Sequence, residues 1–307
     1  MSLSVKRSVY IVIAALSVIL FAVGSFCDLP IAETVYRPNQ PVALVFTILG
    51  YVLFFGTFQL LTGALFRQQL LLSQTRIKRI LCTFICSYTG LSTAVLGGAG
   101  MISDSVIGLL FPEMTLGFRH KVLIGIVLFI PPVIFGMFMN GKQAKKRIAL
   151  NIIILLVIMG ISFFGHVIFT SLYSRPRFRI TQSGFEGLGF TPWYEPLDNA
   201  AFFSETYHLK SDAFRSFFSG HALDAVLNLA IFPALEQSFP IWKEKERFLQ
   251  ITALVLIPPI AFSRMVLGAH YLSDISAGML CGLGFVILYE IIVHTNKCSA
   301  NQRGKNV

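Results

Sequence analysis

The sequence predicts an all-α fold, a polytopic transmembrane helical bundle with about eight candidate spans, and three observations carry that expectation. The first is composition: of 307 residues 55% are hydrophobic and 13% charged, with a mean hydropathy of +0.71, far from the makeup of a water-soluble domain. The second is the recurrence of long apolar runs. A hydrocarbon core about 30 Å thick asks for roughly 20 helical residues at about 1.5 Å each. The third is that most Lys and Arg residues fall in alternate connectors, as expected when positive segments stay in the cytoplasm.

In chain order the runs are 9–26, 42–66, 80–96, 122–140, 148–172, 219–235, 248–265 and 272–293. The first has no small-residue cleavage site after it and reads as an uncleaved anchor. Residues 28–37 read equally as a short interfacial helix or a surface loop. The third run continues past the glycine-rich 97–100 into apolar residues 101–110, which leaves a longer helix, a re-entrant piece or an interfacial segment open. Pro131-Pro132 and Pro258-Pro259 lie inside spans and act as structural kinks. With the N-terminus inside, Lys6, Arg7, Arg76, Lys78, Arg79, Lys145, Lys146, Arg147 and the basic tail share the inner side, so both termini are expected to be cytoplasmic. The net charge of +10 is then a topology signal near anionic headgroups. No nucleic-acid partner is read from it, because no soluble basic face exists to bind one.

Cys27, Cys82, Cys86, Cys281 and Cys298 show no CxxC pairing, and Cys82 with Cys86 at helical spacing reads as packing within a span. The longest outer segment, residues 173–218, is rich in Gly and aromatics. Its Thr191-Pro192-Trp193-Tyr194-Glu195-Pro196 suits a loop at headgroup level, and its length favours a functional role.

Ionisable residues at a membrane edge are costly, so several at one level call for an explanation. Three such clusters occur: Tyr173 to Arg179 after the fifth span, Ser216 to His221 opening the sixth, and Ser263 to Asp274 joining the seventh and eighth. Parity puts all three on the outer side. Arg is a planar donor matched to phosphate, and the Ser219-Gly220 helix start offers N–H groups as an oxyanion cradle. His221, His270 and Asp274 supply an acid, a nucleophile and an orienter, with His270 and Asp274 spaced to meet across one helical turn. No HExxH or carboxylate cluster marks a metal site.

Together these residues resemble the type-2 phosphatidic acid phosphatase family, whose signature reads KxxxxxxRP, PSGH and SRxxxxxHxxxD and which shares its site with vanadium haloperoxidases. The third element matches at Ser263, Arg264, His270 and Asp274. The second matches at Ser219-Gly220-His221, with Phe218 in place of Pro. In the first, Arg177 fits, while Thr170 stands where Lys is expected and Phe178 where Pro is. The resemblance implies a six-helix phosphatase-like core with an outer-facing active site, in which His270 attacks phosphorus, Asp274 orients it and His221 protonates the leaving alkoxide. Arg177, Arg264, Ser219 and Gly220 would hold the phosphoryl oxygens without a metal or other cofactor. Arg175, Arg179 and Lys210 are the candidates to replace the missing lysine.

The expected organisation is 1–147 as N-terminal spans without an assigned role, 148–296 as the catalytic membrane region and 297–307 as a cytoplasmic basic tail. The expected function is a lipid phosphate or isoprenoid diphosphate phosphatase in the plasma membrane, whose partners are its lipid substrate and the surrounding membrane lipids. A headgroup phosphotransferase, and a lipid-phosphate-binding or transport protein that has lost catalysis, stand as alternatives. The oligomeric state is not legible.

Overall fold

In hydrocarbon every backbone N–H and C=O must be satisfied within the protein, so an apolar run long enough to cross has to become a helix. The computed structural model describes residues 3–103, 117–139 and 145–303, and the described part of each of the eight expected runs falls on a helix, with Ser219 as the N-cap of its helix. These helices are α1 (Leu3–Val35), α2 (Pro41–Leu72), α3 (Arg76–Ser103), α4 (Phe118–Met139), α5 (Lys146–Tyr173), α8 (Gly220–Ser238), α9 (Glu246–Val266) and α10 (Leu272–Arg303). Two short helices, α6 (Phe178–Thr181) and α7 (Ala200–Thr206), lie in the long segment between α5 and α8. No strand occurs among the described residues.

Seven of these helices are long and apolar enough to cross a membrane, which makes this a multi-pass membrane protein. The eighth expected span, α8, falls outside that set, as it carries His221, Asp224, Asn228 and Glu236 among its 19 residues. Its position explains the difference. It packs against α2, α5, α9 and α10, and most of its residues are buried, so little of it has to face lipid. The lipid-facing apolar surface is instead on helices such as α1 and α3, where Ile11, Phe26, Ile77 and Phe84 are all more than half exposed.

The core lies where α2, α5, α8 and α9 meet, through Phe54, Phe58, Leu61, Ile152, Leu155, Met159, Val226, Leu227, Ile231 and Ile257. Helices α3 and α4 pack on each other and on α2, while α1 packs along α10.

Two open readings are resolved. Residues 28–35 form no separate interfacial helix, because α1 continues unbroken through Pro30 to Val35. Helix α3 runs through its glycines as far as Ser103, and the rest of 101–110 lies outside the described residues. The paired prolines stay within continuous helices in α4 and α9.

The segment between α5 and α8 is anchored rather than draped. Ser174, at φ 54°, ends α5 in the left-handed region and turns the chain. Leu188, Phe203, Ala213 and Phe214 then form a small core of their own. Trp193 donates its indole N–H to Ser25 Oγ on α1 at 2.8 Å and stacks on Phe217. A tyrosine or tryptophan with a satisfied polar end is a strong tie between a loop and a helix.

Candidate active site

All three residue clusters come together at one end of the bundle, where α5 and α9 finish and α8 and α10 begin. What holds them is a buried arginine. The Arg175 side chain is fully buried and donates Nε to the Thr191 carbonyl at 3.0 Å, Nη1 to Ser273 Oγ at 2.9 Å and to Asp274 Oδ1 at 2.5 Å, and Nη2 to Asp28 Oδ2 at 2.9 Å. Its guanidinium also lies 4.2 Å from the centroid of the Tyr271 ring, within cation–π range. Burial disfavours its charge, but Asp274 and Asp28 more than offset that and hold its pKa above the ordinary value. Burial likewise pushes the Tyr271 hydroxyl well above the usual tyrosine range, partly opposed by Arg175.

Asp28 on α1 completes this lock. Its Oδ1 accepts from the Ser273 backbone N–H at 2.9 Å, and its Oδ2 accepts from the Ser273 hydroxyl as well as from Arg175. Asp274, in the first turn of α10, uses Oδ2 to accept from the Ser216 hydroxyl at 2.5 Å and from the Tyr271 backbone N–H at 2.7 Å. A buried carboxylate is tolerable only when so surrounded by donors and countercharge.

His270 sits just before α10 and is 3% exposed. Its Nδ1 is 2.6 Å from the Ser216 carbonyl oxygen and 3.8 Å from Asp274 Oδ2. The second distance is too long for a hydrogen bond. Here the structure differs from the expected direct pairing: Asp274 is already engaged by Arg175, Ser216 and Tyr271, and it reaches His270 at one remove, through Ser216. A carbonyl can only accept, so Nδ1 carries a proton, and in the neutral imidazole the lone pair is then on Nε2.

His221 lies on the first turn of α8, buried edge-on to the Tyr51 ring of α2 with centroids 4.4 Å apart. The close approach of α2 depends on Gly50, where a Cβ would stand 2.8 Å from His221 Cδ2. Ser219 is the N-cap of α8: its hydroxyl accepts from the Ala222 N–H at 3.4 Å, and its own N–H donates to the Asp274 carbonyl at 3.0 Å. Gly278 makes room for this junction, since a Cβ there would be 2.3 Å from the Ser219 carbonyl oxygen. Gly220 opens the first turn of α8, where backbone N–H groups lack intrahelical partners.

The other arginines separate by their partners. Arg264, fully buried, donates Nη1 to Thr47 Oγ1 on α2 at 3.1 Å, and Thr47 Oγ1 lies 3.2 Å from Ser263 Oγ. Arg177 is 4% exposed and donates Nε to the Asp212 carbonyl and Nη2 to Asp212 Oδ1, both at 2.8 Å. Arg179 pairs more loosely with the same carboxylate, at 3.6 Å. Lys210 is exposed and precedes the 3-10 turn Ser211–Phe214. Of the three candidates for the missing lysine, Arg175 is therefore committed to Asp28 and Asp274, and Arg179 is paired with Asp212.

Several residues at this end carried no sequence signal: Asp28, Thr47, Gly50 and Tyr51 from α1 and α2, His166 and Arg215 near the α5–α8 junction, and Asp212 beneath Arg177. Among the described residues no group of three or more His, Cys, Asp or Glu is placed to hold a metal ion.

Residues 151–298, a little under half of the chain, match the PAP2 superfamily, and that stretch runs from α5 through α10 and holds all the residues of the three motifs. No curated protein and no solved structure matches the chain.

Proposed function

We propose that this protein, whose residues 151–298 match the PAP2 superfamily, is a phosphatase of lipid phosphates or diphosphates working through a phosphohistidine on His270. The observation that carries the reading is the buried His270 whose Nδ1–H is held by the Ser216 carbonyl at 2.6 Å, so that in the neutral imidazole its lone pair is on Nε2. His221 on the first turn of α8 and the buried Arg264 share the same end of the bundle.

In the first half-reaction Nε2 of His270 forms a bond to phosphorus as the bond from phosphorus to the leaving oxygen breaks. That oxygen takes a proton from protonated His221. Arg264, Arg177, the Ser219 hydroxyl and the Gly220 N–H stabilise the equatorial oxygens, the last at a helix N-terminus suited to anions. In the second half-reaction neutral His221 takes a proton from water as the water oxygen attacks phosphorus, and the electrons of the P–N bond return to Nε2. No step calls on a metal. The Lys and Arg distribution supports cytoplasmic termini and a site facing outward, where a substrate can present its headgroup while its tail stays in lipid.

The test is inorganic phosphate release from a panel of lipid phosphates and diphosphates by detergent-purified protein in EDTA. Activity that survives EDTA and vanishes in His270→Ala is the expected result. Activity retained by His270→Ala, or abolished by EDTA and restored by a divalent cation, overturns the mechanism.

A further inference from the structure

Arg215 is half-buried, and its partners set it apart from Arg175, Arg177 and Arg179. It donates Nε to Thr170 Oγ1 at 3.2 Å and Nη2 to the Val167 carbonyl at 3.4 Å, both uncharged oxygens of the last turns of α5. Arg175 has two carboxylates, and Arg177 and Arg179 share one. Among the described residues no carboxylate pairs with Arg215. A guanidinium held partly out of water without a countercharge is costly, and such a group at a membrane edge is retained when an anion comes to it.

Its setting says which anion. Arg215 is followed directly by Ser216, whose carbonyl holds His270. Three residues on, the Phe218 carbonyl accepts from His166 Nε2 at 2.8 Å. The His166 ring in turn lies against the start of α8, with Cε1 2.8 Å from where a Cβ on Gly220 would be. Residues 215–220 thus run as one strip from Arg215, past the carbonyl that holds the nucleophile, to the helix N-terminus, and α5 backs the strip with His166 and Thr170. With Arg177 taken as the motif Arg, Thr170 stands where the first motif has its cation, and the Arg215 side chain touches it.

We infer that Arg215 is a phosphate-binding residue of this site, supplying from position 215 the positive charge that Thr170 does not. The inference rests on the phosphatase reading for its substrate, a phosphoryl group. A guanidinium suits that group, since its planar fork can donate two parallel hydrogen bonds to two phosphoryl oxygens.

The experiment uses the full-length protein in detergent and compares wild type, Arg215→Ala, Arg215→Lys and Arg215→Ala combined with Thr170→Lys. Two readouts are taken: kcat/KM for phosphate release, and affinity for inorganic orthovanadate, a mimic of pentacoordinate phosphorus, from its stabilisation against thermal unfolding. Arg215→Ala is expected to lower kcat/KM by about 10²-fold, the scale of losing one donor to developing oxyanion charge, and to weaken vanadate binding. Arg215→Lys is expected to keep more activity than Arg215→Ala. Thr170→Lys is expected to restore both readouts in the Arg215→Ala chain, which a merely structural role for Arg215 would not allow.

Unchanged vanadate affinity in Arg215→Ala, or failure of both lysine-bearing variants to exceed Arg215→Ala in proteins that elute as single species, overturns the inference. The two readings fail separately. Vanadate binding that depends on Arg215 without turnover on any lipid overturns the phosphatase and keeps the anion site, whereas turnover and vanadate binding indifferent to Arg215 do the reverse.

Discussion

Replacing Arg175 with Met keeps most of the side chain's length and removes only the guanidinium, so it isolates what that group does. The change deletes four hydrogen bonds, two of them to carboxylates at 2.5 and 2.9 Å. Asp28 and Asp274, at 3% and 0% exposure, are left facing each other without a countercharge. Removing one partner of a buried ion pair costs about 3–5 kcal/mol, and here one removal orphans two acids, so the upper part of that range is expected. Asp28→Asn is milder, since the amide oxygen still accepts from the Ser273 N–H and Asp274 still neutralises Arg175. A cost of about 1–3 kcal/mol is expected for it. In the double variant only Asp274 remains charged, so the two effects should fall short of additive by about 1–3 kcal/mol. Arg179→Ala is the comparison, a looser pair at 3.6 Å worth about 1 kcal/mol or less. Unfolding in mixed micelles of rising SDS fraction measures all four. An Arg175→Met chain no less stable than Arg179→Ala, or strict additivity with Asp28→Asn, would refute the lock.

Three further outcomes are expected. Gly50→Val puts a side chain 2.8 Å from His221 Cδ2 and 3.3 Å from Ile260 Cγ2, and displacing the imidazole by a fraction of an ångström or more should lower kcat/KM by about 10–10²-fold; steady-state kinetics that match wild type would show that His221 does not need its present place. Ser219→Ala removes the α8 N-cap and should cost about 1 kcal/mol of stability in addition to any loss of activity, both readable on one preparation. His221→Ala should slow release from an alkyl phosphate by about 10²–10⁴-fold and from an aryl phosphate far less, because a phenolate leaves without being protonated. Equal losses on the two substrates would remove His221 from the acid role.

The spans were legible because lipid allows little else: an apolar run near 20 residues must be a helix, whatever its neighbours. Helix α8 shows where that argument weakens. His221, Asp224 and Asn228 lower its apolarity, and its central position lets it carry them, because little of it faces lipid. The candidate residues stood out for a related reason, since His270, Asp274, Arg264 and His221 are expensive at a membrane edge and few residues compete for attention there. Pairing was not legible. Arg175, Arg177, Arg179 and Arg215 lie within one segment and look alike in sequence, yet the left-handed turn at Ser174 sends Arg175 inward to Asp28 and Asp274 while Arg177 meets Asp212. Partners separated by 147 residues, as Asp28 and Arg175 are, leave no local pattern.

The same long-range pairing bears on what the N-terminal helices are for. Helices α1 and α2 lie outside the stretch that matches the PAP2 superfamily, yet Asp28 fixes Ser273 and Arg175, Thr47 accepts from Arg264, and Tyr51 with Gly50 walls in His221. Each of these contacts acts on a residue of the matched stretch at the place where its chemistry is concentrated. Without α1, Asp274 would still face Arg175, but the Nη2 arm of Arg175 and the Ser273 N–H would lose the carboxylate that accepts from them. Helix α1 therefore helps to hold Arg175 and Ser273 beside Asp274, whose Oδ2 accepts from Ser216, the residue whose carbonyl holds His270. The first two helices are part of the candidate site's construction, and a boundary that assigns the site to residues 148–296 alone divides a single network of hydrogen bonds.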